Sequence, residues 1–173
     1  MIDAIVYSSK SGHTKEYALE LAKRLSLPIY TLRQAKRKLP KMSSIIYMSW
    51  INQNKVVGFE KITKFRLIAT IGVGICPKSE EAINRVKLET VLYGPFFYLR
   101  GGIRPRKQGF RNYMTLKLIV DELQYKVIDN RATQEEKEIV DAVLNKENFV
   151  DLNNLNEIID WISINYPIDG SIN

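Results

Sequence analysis

Ile5-Val6-Tyr7-Ser8-Ser9-Lys10-Ser11-Gly12-His13-Thr14 carries an apolar run straight into a row of hydroxyls, a glycine and the chain's single histidine. Residues 2–7, ending at Ser8, suit a strand buried on both faces, as in a parallel sheet. From Thr14 the period changes. Ala18, Leu21, Ala22 and Leu25 fall at i, i+3, i+4 and i+7, one face of a helix lasting to about residue 25. A turn that joins a parallel strand to a helix lies at the carboxyl edge of the sheet, where the first helical amides are unpaired and partly positive. Hydroxyls of Ser9, Ser11 and Thr14 add donors and Gly12 lets the backbone approach closely, which together describe an anion cradle. Capping the helix needs one of these hydroxyls, not three. The turn lacks the Gly-Lys-Ser/Thr ending of a nucleoside-triphosphate loop, and it is not a Gly-x-Gly-x-x-Gly dinucleotide turn.

Outward from this turn the chain alternates. Residues 28–32 read as a second strand and residues 33–41 (RQAKRKLPK) as a solvated basic surface loop. Residues 44–48 and 66–73 are a third and a fourth strand. A fifth spans 90–98, interrupted by Gly94-Pro95 and therefore irregular or at an edge there. Helical patterns cover 78–87 and 110–123, the latter burying Phe110, Tyr113, Met114, Leu116, Ile119, Val120 and Leu123. Thr133 and Glu136 form a capping box before Ile139, Val140, Val143 and Leu144; Asn154 and Glu157 form a weaker one before Ile158, Ile159 and Ile162. Strands alternating with helices predict a parallel sheet with helices on both faces and a ligand at the carboxyl ends of the strands.

At 173 residues the chain fits one domain, 1–173. No apolar run approaches the roughly 20 residues of a membrane span, and Met1-Ile2-Asp3 opens without the basic and apolar stretches of a signal peptide. One cysteine, Cys76, allows no internal disulfide, and one histidine leaves little for a metal site, so no metal is expected and a cytoplasmic protein fits best. The net charge of +7 attracts acidic partners. Its basic residues gather in 33–41 and in 100–111 (RGGIRPRKQGFR), the second carrying three glycines and a proline.

The spacing of Ile5, Val6, Tyr7, Ser9, Gly12, Thr14, Ala18 and Leu21 resembles the N-terminal signature of flavodoxins at every defined position. The resemblance implies a flavodoxin-like three-layer sandwich, a five-stranded parallel sheet in order 2-1-3-4-5, with FMN bound noncovalently at the carboxyl edge. It makes Ser9, Lys10, Ser11, Gly12, His13 and Thr14 the phosphate loop, with the His13 amide on the anion and its ring turned to solvent. The loops after the third and fourth strands would hold the flavin ring: Trp50, Ile51 and Asn52, and Gly72, Val73 and Gly74, where two glycines allow a tight backbone path. Trp50 offers a stacking face; alternatively it plugs the end of the core. Cys76 near the same edge reads as a buried, inert thiol; alternatively it touches the edge of the flavin.

Residues 97–104, with the pair Gly101-Gly102, are similar to the matching segment of flavodoxin-like, quinone-dependent protoporphyrinogen dehydrogenases, in which a basic stretch and a Met- and Leu-rich helix follow. That similarity implies that Arg100, Arg104 and Arg106 hold the carboxylates of a porphyrin or other acidic substrate. The alternative is an exposed loop with no particular partner. Electron-carrier flavodoxins are typically acidic, so the positive charge favours a flavoenzyme on acidic substrates or a carrier with acidic partners. Three readings follow: an FMN-dependent oxidoreductase passing electrons to an acidic or tetrapyrrole-type substrate, a non-enzymatic electron carrier with a redox partner protein, and a flavin-free basic binding domain. Nucleic acid is the least favoured partner, peripheral membrane contact is compatible with the charge, and no residue demands the role of acid or base.

Overall fold

The computed structural model describes residues 1–102, 110–145 and 147–167, without the side chains of 110–113, 115 and 116. Strand β1 (Ala4–Ser8) runs into helix α1 (His13–Leu25), which buries Tyr17, Ala18, Leu21, Ala22 and Leu25 on one stripe. Strand β2 (Ile29–Thr31) leads to α2 (Leu32–Lys38), and β3 (Ser44–Asn52) folds back on the short β4 (Lys55–Val56). Then come β5 (Arg66–Gly74), α3 (Glu80–Thr90), β6 (Phe96–Arg100), α4 (Phe110–Ile128), α5 (Gln134–Leu144) and α6 (Asn156–Asn165).

The sheet order is β2-β1-β3-β5-β6, all parallel, with β4 antiparallel on the end of β3. With the hairpin strand set aside this is the order 2-1-3-4-5 of the flavodoxin-like α/β fold, whose switch point lies between β1 and β3. Register follows from the pleat: Ile5, Ile46 and Met48 face α1 and α6, whereas Val6, Ile45 and Tyr47 face α2, α3 and the 3-10 turn Phe59–Lys61. A bulge between Ile45 and Ile46 shifts the partner from Leu67 to Ala69. It lets Ile68 and Ile71, three apart, reach the same cluster.

Four expectations are corrected. The stretch 33–41 is not a loop over its first part, because Thr31 caps α2 with a capping box to Gln34. The fifth strand starts at Phe96 rather than 90, because α3 runs to Thr90 and ends on Val91 in the left-handed region, φ 55°. The third strand continues to Asn52 through a two-residue turn in which Gln53 and Asn54 have φ of 49° and 59°. Helix α4 extends to Ile128 and turns Val120 and Leu123 inward but leaves Met114 and Ile119 exposed, as is Leu144 on α5.

Helices α4 and α5 pair through Val120, Val140 and Val143, with Ile75 packed against them, as an excursion between β6 and α6. Its neck is narrow. The outgoing Gly102 bridges the returning Asn148, and the Phe149 amide donates to the Gly101 carbonyl at 2.9 Å. A Cβ on Gly102 would lie 2.5 Å from the Glu147 carbonyl oxygen and 2.9 Å from the Asn148 Cα. The buried Tyr17 pins both passages, its hydroxyl donating to the Arg100 carbonyl (2.9 Å) and accepting from the Asp151 amide (3.0 Å). Burial pushes the Tyr17 phenol pKa up.

Candidate functional site

Strand β1 ends with Ser8 beside Ser49 of β3, so the loop 9–12 emerges at the switch point. Gly12 adopts φ 101°, a conformation that favours glycine, and heads α1 without any side-chain cap. Within the loop, the Gly12 amide donates to Ser9 Oγ at 3.2 Å, and Ser11 Oγ and His13 Nδ1 share a hydrogen bond of 2.9 Å. These short bonds shape the turn. Thr14 is buried in the first turn of α1.

The His13 ring does not face solvent as expected; the residue is 2% exposed. It packs beneath the neck, where a Cβ on Gly102 would stand 3.3 Å from Nε2. The ring is thus a spacer between the loop and the excursion.

Trp50 is half-buried on β3, with Lys10 Nζ 4.9 Å from its ring centroid, so the structure brings Trp50 and the loop 9–14 together. Ile51 points the other way, onto Gly72, whose added Cβ would lie 2.9 Å from Ile51 Cδ1. Asn52 is exposed and pairs with Lys55 in the hairpin. Gly72 and Gly74 lie within β5, and the space a side chain would need there is filled by the rings of Phe96 and Tyr98 of β6. Val73 is buried beside them, against Gly101. The glycines at the end of β5 therefore make room for aromatic rings of the neighbouring strand.

Arg100 is spoken for. Its guanidinium sits 3.7 Å over the Phe149 ring, donates Nε to the Ile75 carbonyl (3.3 Å) and reaches Glu138 of α5 at 3.2 Å. Those contacts join β6, the loop after β5, α5 and the returning chain. Arg104 and Arg106 lie outside the described residues. Cys76 is partly buried, and burial together with the Glu135 carboxylate pushes its thiol up to about 11. A thiol so shifted is a poor nucleophile at neutral pH.

The carboxyl edge also holds a cavity of about 590 Å³ on the β2 side of the loop. Tyr7, Ser8, Ser9 and Gly12 form its floor, and Thr31 and Leu32 its wall. Five cations line it: Lys10, Lys15, Arg33, Lys36 and Lys61, with no carboxylate among the lining residues. Sequence reasoning missed Lys15, Arg33, Lys36 and Lys61 as a group. The basic run 33–41 signalled two of them, and Thr31-Leu32-Arg33-Gln34 spells the capping box that places them on a helix beside the cavity.

No protein-family model and no curated protein matches the chain. Among solved structures, the chain is similar to a flavodoxin from the domain Archaea, with 13% identity, a TM-score of 0.34, and coverage of 84% of this chain and 98% of that one. The fold assignment rests on strand order and helix placement. No helix among the described residues is long and apolar enough to cross a membrane.

Proposed function

We propose that this chain is a flavin-binding redox protein in which residues 9–14 hold the phosphate of FMN and Trp50 flanks the flavin ring. The observation that carries the reading is the head of α1: an uncapped first turn opened by a left-handed Gly12, at the β1/β3 switch point, one strand from a half-buried tryptophan. The donor set suits a phosphate monoester. Backbone amides, the hydroxyls of Ser9 and Ser11 and the Lys10 ammonium are present, and the loop itself carries no carboxylate. Bound there, a flavin supplies electron transfer singly or in pairs. The chain contributes binding, exclusion of water by Trp50, and a positive charge at Lys10 that favours added negative charge nearby.

An oxidoreductase acting on an acidic small molecule, of tetrapyrrole type, is favoured over a plain electron carrier by the net charge of +7 and by the helical excursion rooted beside the loop. In this reading Arg104 and Arg106 meet the substrate carboxylates, whereas Arg100 positions the excursion. The test is an absorbance and Trp-fluorescence titration of the protein with FMN, then turnover of a reduced porphyrin with an artificial acceptor. Shifted flavin bands, with quenching abolished in Trp50→Leu, support the site. Absence of binding at micromolar FMN overturns it, and flavin binding without porphyrin turnover leaves the carrier.

A further inference from the structure

The cavity on the β2 side is larger and more cationic than one phosphate monoester needs. At about 590 Å³ it falls in the size range of nucleotide-sized ligand sites. Lys15, Arg33 and Lys36 carry no ion pair among the described residues, and Lys61 is matched only by its exposed neighbour Glu60, at 3.5 Å. Cations converging on a concave space without carboxylates repel one another, and an anion in that space relieves the repulsion. Arg33 adds a planar fork for two phosphate oxygens, and Tyr7 and Leu32 supply apolar surface suited to a base. Trp50, on the opposite side of the loop, is not part of this lining.

We infer that the cavity binds a nucleoside diphosphate group, with one phosphate on the loop 9–12 and the next between Arg33, Lys36 and Lys61. The inference rests on the phosphate role of that loop given above but not on a flavin ring. The same group arrives either as a free nucleotide or as the adenylate half of a dinucleotide such as FAD, which would place the flavin on the Trp50 side and the adenosine on the β2 side.

The experiment is isothermal calorimetry on the flavin-free full chain with ADP, AMP, FMN and FAD at physiological salt, repeated on Arg33→Gln/Lys36→Gln. Lys23→Gln/Lys87→Gln, which removes two exposed cations far from the cavity, controls for net charge. The expected result is ADP tighter than AMP by about tenfold or more, a preference lost in the first variant and kept in the second. A matching preference of FAD over FMN identifies the dinucleotide as the source; its absence, with the ADP preference intact, identifies a free nucleotide. Equal affinity for ADP and AMP, or equal loss in both variants, overturns the inference. If FMN still binds in that case the flavin reading stands alone, and if nothing binds the loop assignment falls with it.

Discussion

Two regions at the carboxyl edge look alike in composition and behave in opposite ways. The turn after β1 and the neck after β6 both combine glycine, arginine or lysine and a nearby aromatic ring. At the neck the groups described above are consumed internally: Gly102 admits the returning backbone, Arg100 lies on Phe149 and reaches Glu138, and Tyr17 holds both passages. At the turn the head of α1 has no side-chain cap, and the cations beside it lack carboxylate partners within the cavity. Residue type alone does not separate a candidate ligand site from a structural joint. What separates the two here is charge: the Arg100 guanidinium has its carboxylate in Glu138, whereas the cations lining the cavity have none within it.

That contrast breaks first at the turn. Ser11→Ala with Thr14→Ala is expected to weaken FMN binding by about 3 kcal/mol or more, at roughly 1.5 to 3 kcal/mol per hydrogen bond to a charged group. Thermal unfolding of the flavin-free variant reports separately the loss of the Ser11 Oγ–His13 Nδ1 bond. Unchanged affinity in calorimetry would remove the turn from the ligand side of the comparison.

Gly102→Ala tests the neck in the reverse sense. Its new Cβ meets backbone rather than a flexible side-chain end, so we expect a loss of about 2 to 3 kcal/mol in denaturant unfolding with FMN affinity retained in the folded fraction. A neutral result would mean the two passages are not held together there. Tyr17→Phe sharpens the same point with a smaller loss of about 2 kcal/mol, because the Arg100 carbonyl and the Asp151 amide lose their shared partner.

The smallest effect is at Cys76. Its thiol pKa is raised from 9.0 to about 11, so the folded state favours the neutral form. That contribution is complete below pH 9 and is lost as pH rises through about 11, and Cys76→Ser should flatten the alkaline limb of a stability profile over this window. Alkylation of Cys76 by iodoacetamide at pH 8 should be slower than that of a free thiol. Rapid labelling would show that the end of β5 is open.

The strand order was legible because each strand is a compact apolar run and each helix carries its own periodicity. The head of α1 was legible for the same reason: its residues are contiguous. The hairpin after β3 was hidden in Asn52-Gln53-Asn54-Lys55, a turn whose two central residues both need positive φ but which contains no glycine to advertise it. Helix α2 was masked by its charge, although Thr31 and Gln34 spell its cap. The roles of Arg100 and Tyr17 could not be read locally, since Tyr17 meets partners 83 and 134 residues away. The glycines of β5 read as a tight backbone path, and the sequence does not say that Phe96 and Tyr98 will lie against them.

The neck also bears on how such a fold changes over evolutionary time. Where Phe149 hydrogen-bonds Gly101, the chain re-enters the domain within bonding distance of where it left, so the sheet and α6 are spatially continuous across the excursion. Closing a loop of any length across such a gap adds little entropy cost per added residue. This makes the neck a port at which helices can lengthen, shorten or be exchanged while the strand order, the head of α1 and the cavity beside it keep their geometry. The excursion can then diverge while the carboxyl edge around the head of α1 stays constant.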